Sequence, residues 1–157
     1  MRTTRLLPFI LTLALVTPMV QAEATVFHMS PVGQVVKQGD KTRVVVDPAY
    51  RDGLLRLDDY SHAWVLFWFD RNDTPEQRGI LRVHPRRDPR NPLSGVFATR
   101  APVRPNLIGM TLCRIISLHD GVIEIDAIDA YDGTPVLDIK PYIPRESVPD
   151  ARVPQRY

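Results

Sequence analysis

The sequence predicts a small, mostly β protein that folds as an antiparallel barrel or sandwich. About seven or eight short runs of apolar or alternating residues follow one another at roughly 10–15-residue spacing, the pattern of consecutive antiparallel strands. Each run is bounded by Gly, Pro, Asp or Asn, which favour turns. The chain has 157 residues, a length typical of one domain.

The first half of the chain supplies the clearest strands. Residues 30–39 (SPVGQVVKQG) form a short strand that enters a turn at Gly39, and residues 41–47 (KTRVVVD) alternate and are β-branched. Residues 47–62 are the best candidate for a helical turn. Residues 63–69 (AWVLFWF) are an uninterrupted apolar and aromatic run, typical of a strand buried on both faces.

Further strands are predicted in the second half, at residues 79–85, 95–100, 108–118, 121–133 and 136–142. The run 108–118 (IGMTLCRIISL) also fits a helical period, but its adjacent isoleucines and flanking glycine favour a strand. The only cysteine, Cys113, lies in this run. We therefore expect a small core residue rather than a nucleophile, and no intramolecular disulfide.

The N-terminus has the pattern of a secretory signal peptide. Arg2 and Arg5 precede an apolar run over residues 6–20, and a small-residue cleavage site ends at Ala22. The run has 15 residues, which is short for a membrane span. We predict a signal peptide over residues 1–22, a secreted or periplasmic protein, and no stable membrane span.

Two further regions follow the predicted signal peptide. Residues 23–144 form the β domain, and residues 145–157 form a proline-rich tail without an apolar period. We expect the tail to lie along the surface or to be disordered.

Positive charge is concentrated in one window. The whole chain has a formal net charge of +2, but residues 82–104 contain six arginines and one acid, Asp88, which is +6 − 1 = +5. Such a patch could attract an anionic partner, and the alternative is a solvated loop.

Several common catalytic motifs are absent from the sequence. No two of the eight glycines are two residues apart, which excludes the G-x-G-x-x-G fingerprint and disfavours a Rossmann-type enzyme. No serine lies in G-x-S-x-G. The four histidines have no partner at i+4 and no nearby cysteine pair, so no metal site is predicted.

The segment ATRAPVRPN contains a stiff, basic loop. Pro102 and Pro105 fix the backbone, so Arg100 and Arg104 are presented at low entropic cost beside Asn106. Guanidinium groups suit a carboxylate or phosphate, and an amide suits a base edge. The alternative is a structural corner whose arginines pair with acids at Asp126, Asp129 or Asp138.

The segment DAIDAYDGTPVLDIKPYIP (126–144) contains a strong turn signal at Asp132-Gly133. A carboxylate beside such a turn could accept hydrogen bonds from ribose hydroxyls. The alternative is a hairpin turn with solvated acids.

Three motifs together resemble the TsaA-like family: LDDYSHAWVLFWF, LRVHPRRDPRNPLSGVFATRAPVRPNLIGM and IDAYDGTPVLDIKPYIP. The resemblance covers about residues 31–144, in the expected order. It implies a small antiparallel β-barrel that works as a homodimer. It also implies an S-adenosylmethionine-dependent methyltransferase that acts on threonylcarbamoyladenosine in the anticodon loop of tRNA.

The resemblance also implies the site residues. The expected contacts to S-adenosylmethionine are Asp70, Arg71, Arg100, Met110, Ala130, Tyr131, Asp132 and Gly133. The expected contacts to RNA are Arg86, Arg87, Arg90, Arg104 and Asn106. No residue is an obvious general base, and the candidates are His62 and Asp132.

The sequence departs from the family pattern at three places. A PRQPG-like segment after the first strand is missing, Leu107 replaces the second proline of RPNPIG, and the C-terminal extension of some members is absent. The signal peptide also conflicts with a cytosolic cofactor and tRNA. Translation from Met29 would give a cytoplasmic enzyme. Export favours a non-catalytic module that binds an adenine-containing or anionic ligand, and the third alternative is an exported methyltransferase with an unknown substrate.

Overall fold

Six antiparallel strands close a barrel, in the order β1-β2-β7-β6-β3-β8, and β4 pairs separately with β5. The computed structural model describes residues 25–154. Its strands are β1 (Gly33–Gln38), β2 (Lys41–Val46), β3 (His62–Trp68), β4 (Arg82–Val83), β5 (Ser94–Gly95), β6 (Ile108–His119), β7 (Val122–Ile125) and β8 (Pro135–Pro141). The predicted antiparallel β-barrel is confirmed, whereas the predicted signal peptide lies outside the described residues.

A tight hairpin joins β1 to β2 where the family's PRQPG-like segment is missing. Gln38 pairs with Lys41, so the loop consists of Gly39 and Asp40 alone. Gly39 has φ +59°, a left-handed conformation that glycine adopts without steric cost. The missing segment is therefore replaced by a two-residue turn.

The prediction that residues 63–69 are buried on both faces is wrong. Burial alternates along β3: Ala63, Val65 and Phe67 point into the barrel, whereas the tryptophans and leucine between them are half-exposed outside. A barrel wall has one inner and one outer face, so in the isolated chain even a fully apolar strand buries only alternate side chains.

β-Branched residues fill the barrel interior. Val35, Val44 and Val136 are fully buried, and Cys113 lies among them. Burial raises the pKa of the Cys113 thiol to about 12, so the thiol stays protonated and unreactive at neutral pH. The predicted core role of this cysteine is confirmed.

Segments outside the barrel differ more from the predictions. The helical turn expected at residues 47–62 is present as two 3₁₀ turns, Pro48–Leu54 and Leu57–Asp59. The strand expected at residues 95–100 is wrong, because a 3₁₀ turn at Val96–Ala98 ends it after Gly95. The described helix α1 (Pro75–Arg78) is a single capped turn.

The expected strand at residues 121–133 is also too long. It ends at Ile125, and residues 126–134 form a loop over one end of the barrel. Within residues 25–154, no helix is long and apolar enough to cross a membrane. Residues 145–154 are all exposed, and one short 3₁₀ turn, Pro144–Glu146, overlaps their start.

Candidate functional site

Three segments meet where β3 ends and β6 begins: the 3₁₀ turn Asp70–Asn72, the proline loop 100–107 and the loop 126–134. They enclose a cavity of about 400 Å³, here called the barrel-end cavity. Phe67 and Ile128 supply part of its apolar wall. Its volume lies in the range of small-ligand sites.

Charged side chains of both signs line the barrel-end cavity: Lys37, Asp70, Arg71, Arg87, Arg100 and Asp129. In the described part of the chain, no hydrogen bond or ion pair engages the Arg100 guanidinium or the Asp129 carboxylate. The cavity is thus net positive, and Arg100 is available to bind an anion such as a carboxylate in bidentate fashion.

Arg71 and Tyr131 form a flat platform at the cavity wall. The Arg71 guanidinium carbon lies 3.9 Å from the centroid of the Tyr131 ring, a cation–π contact between two exposed side chains. A planar base can stack on such a surface. The structure therefore brings these two expected cofactor contacts together at the cavity wall.

The Asp132-Gly133 turn has a structural role. The Asp132 carboxylate accepts a hydrogen bond of 2.8 Å from the Lys37 backbone N–H. The Gly133 N–H donates to the Val35 carbonyl at 2.8 Å, and Gly133 has φ +79°. These contacts fasten the loop to β1. Neither residue lines the barrel-end cavity, whereas Ala130 and Tyr131 of the same turn do.

A second cavity of about 450 Å³, here called the loop cavity, adjoins the first. It lies between residues 83–91 and residues 99–103. The two cavities share four lining residues: Arg87, Arg100, Pro102 and Asp129. A ligand in one cavity can therefore contact a ligand in the other.

Hydrogen bonds within residues 84–91 fix the loop that lines the loop cavity. His84 Nδ1 lies 2.7 Å from the Asn91 carbonyl oxygen, and the Asn91 amide donates to the Pro85 carbonyl at 2.9 Å. Between these contacts, Arg86 and Arg87 have φ values of +58° and +56°. Left-handed backbone is costly for these residues and is retained where surrounding contacts determine it, often at functional sites.

Arg78 ties the two sides of the site together. Its Nε donates to Asp73 at 2.7 Å, and its Nη1 donates to the Pro105 carbonyl at 2.9 Å. The Arg78 hydrogen bond holds the pKa of the Asp73 carboxyl below its ordinary value, with a smaller contribution from Trp68. The link to the proline loop was not predicted from the sequence, because Pro105 lies 27 residues from Arg78 along the chain.

Leu107, which stands where RPNPIG has its second proline, has a backbone conformation that proline cannot adopt. Leu107 has φ +47°, and its N–H donates to the Arg104 carbonyl at 3.4 Å. Proline, with φ near −65° and no N–H, cannot adopt this conformation. The Leu107 side chain is fully buried, and its carbonyl accepts the Phe69 N–H at 2.8 Å, so it anchors the proline loop beside the cavity.

The predicted RNA contacts have different surroundings. Arg86 and Arg87 line the loop cavity. Arg90 is bound by both carboxylate oxygens of Asp88, and this contact lowers the pKa of Asp88. Arg104 donates to the Ala101 carbonyl at 3.4 Å, and Asn106 lies in a separate depression beside the N-terminal segment.

The alternative of a salt-bridged proline corner is wrong. Asp138 pairs with Lys140 at 2.8 Å, and Asp126 accepts the backbone N–H groups of Arg114 and Ala127. In the described residues, none of the ion pairs joins Arg100 or Arg104 to these acids.

Two other candidates lie away from the cavities. His62 is at the opposite end of β3, about 20 Å from Trp68 at the usual rise per residue, and its Nδ1 lies 2.9 Å from the Ser61 hydroxyl. Met110 is on the outer face of β6, opposite Leu66. Neither lines a cavity with Arg100.

The structure adds residues that the sequence analysis did not select for the site: Lys37, Asn72, Pro102 and Asp129. Asp129 had a detectable signal, since it lies three residues before Asp132 in the same motif. Within residues 25–154, no group of three or more His, Cys, Asp or Glu could hold a metal ion.

The structure thus defines a small protein that consists of a closed antiparallel barrel with a basic two-part cleft at one end. The model of the tRNA-methyltransferase O N-terminal domain matches residues 20–147, so the chain belongs to this family. The TsaA-like family that the sequence motifs indicated is confirmed.

Named relatives agree with the expected cofactor and enzyme class. The chain is 44% identical over 114 residues to a probable S-adenosyl-L-methionine-binding protein of Methanocaldococcus jannaschii, which covers 73% of this chain and 90% of that protein. It is 43% identical over 90 residues to the mouse tRNA (adenine(37)-N6)-methyltransferase, covering 57% of this chain and 20% of the mouse protein.

A solved structure has the same fold. The crystal structure of TrmO from P. aeruginosa superposes with a TM-score of 0.67 at 29% identity, covering 87% of this chain and 64% of that chain. The present chain therefore spans less than two thirds of that solved chain and a fifth of the mouse enzyme.

Proposed function

We propose that this protein is an S-adenosylmethionine-dependent methyltransferase that N-methylates threonylcarbamoyladenosine in the anticodon loop of tRNA. The observation that supports it most is the barrel-end cavity, which combines an unengaged Arg100 with the Arg71–Tyr131 platform. The relatives named for S-adenosylmethionine binding and for tRNA methylation support the same activity.

The residues present fit the cofactor. Arg100 would bind its carboxylate, and the Arg71–Tyr131 platform would stack on its adenine. The oxygens of Asp70 and Asp129 would face its cationic sulfonium. When bound, the cofactor supplies a methyl group on that sulfonium, and the protein contributes mainly by holding the two reactants in line.

The RNA would approach over the loop cavity. Arg86 and Arg87 are exposed there and have no acidic partner among the described residues, so they can contact phosphate or another anion. Arg90 is already paired with Asp88 and would contribute less.

Calorimetric titration of the purified protein with S-adenosylmethionine and S-adenosylhomocysteine tests the proposal. We expect micromolar dissociation constants. We also expect labelled methyl groups to enter tRNA that carries threonylcarbamoyladenosine, and not the same tRNA without this modification. Absence of binding to both compounds would contradict the proposal and support the non-catalytic binding module.

We also propose that the protein is a homodimer. Large apolar side chains lie on the outer faces of β3 and β6 and oppose one another in register: Trp64 with Leu112, Leu66 with Met110 and Trp68 with Ile108. Met110 is 45% exposed in the isolated chain. A contiguous apolar face of this kind marks an interaction surface, and a second copy presents a complementary one.

Sedimentation velocity tests the homodimer. Met110→Asp should convert the dimer to a monomer, because it buries a charge at the centre of this face. The control is Leu93→Asp, which changes an exposed leucine beyond β4, away from this face. A monomeric wild-type protein would contradict the proposal.

The tRNA substrate also implies that the active form is cytoplasmic. Both Glu23 and Met29 precede β1, which begins at Gly33, so either start keeps every strand of the barrel. The intact mass of the protein isolated from cell fractions distinguishes them. A cytoplasmic chain that starts at Met29 supports the proposal, and a periplasmic chain that starts at Glu23 would exclude tRNA as the substrate.

A further inference from the structure

The loop cavity combines three chemical features in one small space. Val83, Pro85 and Val103 give it apolar walls. Arg86 and Arg87 add positive charge, and Asp129 adds a carboxylate at the boundary with the barrel-end cavity. These features suit a planar heterocycle that carries an N–H donor and an anionic group.

We propose that the loop cavity is the binding site of the methyl acceptor, and that Asp129 accepts a hydrogen bond from the acceptor N–H. The anionic group of the acceptor binds Arg86 and Arg87. This inference rests on the proposed function, since a methyl acceptor must lie beside the cofactor cavity.

Asp129 is the available acid at this boundary. Asp132 accepts the Lys37 N–H, Asp126 accepts two backbone N–H groups, and Asp88 binds Arg90. The Asp129 carboxylate has none of these partners in residues 25–154, although its backbone N–H contacts the Thr111 hydroxyl at 3.5 Å. Its backbone is thus positioned while its carboxylate can accept a ligand N–H.

Arg86 and Arg87 are assigned to the anionic group because their side chains, too, have no protein partner among the described residues. The hydrogen bonds from His84 and Asn91 fix the loop on either side of them. Both guanidinium groups remain exposed and unpaired within the described residues, in contrast to Arg90. The anion they bind is either a carboxylate on the acceptor or a nucleotide phosphate, because both present paired oxygens.

The apolar walls of the loop cavity suit the planar heterocycle of the proposed acceptor. A planar heterocycle packed against these walls would lose contact with water there, and its polar edge would then decide its orientation. Pro102 lies on the wall shared by the two cavities, so a base held there is next to the cofactor cavity.

A four-way binding cycle tests the role of Asp129. The probes are the free nucleoside threonylcarbamoyladenosine and its N6-methylated form, which lacks the N–H, each titrated in the presence of saturating S-adenosylhomocysteine. Asp129→Asn should weaken binding of the first probe at least about tenfold, because it removes a charge-assisted hydrogen bond. It should have little effect on the methylated probe. Equal losses for both probes would overturn the assignment of Asp129.

A second variant tests the cavity itself. Ala101 lines the loop cavity and not the barrel-end cavity, so Ala101→Phe should fill the first and leave the second. We expect loss of nucleoside binding with S-adenosylhomocysteine binding retained. If nucleoside binding persists unchanged, the acceptor binds elsewhere. If the wild-type protein does not bind S-adenosylhomocysteine, the proposed function fails instead.

The source of the anion is tested with two further probes. If Arg86 and Arg87 bind the acceptor carboxylate, the carboxamide of threonylcarbamoyladenosine should bind at least about tenfold more weakly than the acid. If they bind a phosphate, adding a 5′-phosphate to the nucleoside should raise affinity instead. If neither change alters the binding affinity, the proposed role of these arginines is overturned.

Discussion

The two ends of the barrel are closed by different means. At the end where β3 begins, Leu54 and Leu57 from two 3₁₀ turns close the barrel with apolar side chains that are 7% and 8% exposed. At the end where β3 terminates, loops enclose two adjoining cavities lined by charged side chains. The first end is thus closed by apolar side chains, and the second carries the charged lining on which the proposed ligand site rests.

The two ends also differ in whether the charged side chains compared here form ion pairs. At the first end, Arg56 pairs with Asp59 at 2.7 Å. At the second, Arg100 and Asp129 have no such partner in the part of the chain that the structure describes. Arg100 and Asp129 are therefore available to a ligand, whereas an exposed ion pair such as Arg56–Asp59 contributes little to stability.

The largest expected effect is on stability and comes from a change to the backbone of the proline loop, at the end of the barrel that carries the two cavities. Leu107→Pro should lower the free energy of unfolding by about 3 kcal/mol or more, because proline cannot adopt φ +47° and lacks the N–H bonded to Arg104. The matched control, Leu107→Met, nearly conserves volume and should cost less than about 1.5 kcal/mol. Chemical denaturation measures both, and equal stability of the two variants would contradict the left-handed conformation.

The next largest effect is on cofactor affinity, which should respond to a change at one end of the barrel and not at the other. Arg100→Ala should weaken S-adenosylmethionine binding by about 1.5–3 kcal/mol, the worth of a hydrogen bond to a charged group. Arg56→Ala, at the other end, should leave binding unchanged. Calorimetry gives both values. Unchanged affinity in the Arg100 variant would refute its proposed contact with the cofactor carboxylate.

The sequence predicted the barrel better than the site, for physical reasons. Alternating β-branched runs and turn residues determine strands locally, so residues 33–46 were placed correctly. The outer face of β3 was misjudged, because an unbroken apolar run does not show which side faces solvent. The resemblance supplied Arg100 and Tyr131, but not the unpaired state of Asp129. The loop that carries Asp129 is fastened by contacts such as that of Asp132 with Lys37, which are 95 residues apart in sequence.

A smaller effect tests whether the site end depends on its internal links. Arg78→Ala removes the contacts to Asp73 and to the Pro105 carbonyl, so the proline loop should lose its fixed position. We expect cofactor affinity to fall about threefold to tenfold, less than for Arg100→Ala, with little change in stability since the pair is partly exposed. Arg56→Ala removes an ion pair of the same 2.7 Å length and is the control. An identical cofactor affinity in both variants would show that Arg78 does not position the loop.

The smallest effect is the pH dependence of that same link. The pKa of Asp73 in the folded protein lies below its ordinary value, chiefly because Arg78 donates a hydrogen bond to it. Its contribution to stability is therefore fully present above the unfolded-state pKa of about 3.9 and is lost as pH falls through the lower folded-state value. Asp73→Asn should consequently unfold at a slightly lower temperature than wild type at pH 7, and the difference should shrink below about pH 4.

Thermal unfolding across this range measures the difference. Asp59→Asn serves as the control, because it removes an exposed ion pair, with Arg56, at the other end of the barrel. If the Asp73 difference instead persisted unchanged to low pH, the carboxylate would not be the group that holds Arg78 in place, and the link between the two sides of the site would rest on the Pro105 carbonyl alone.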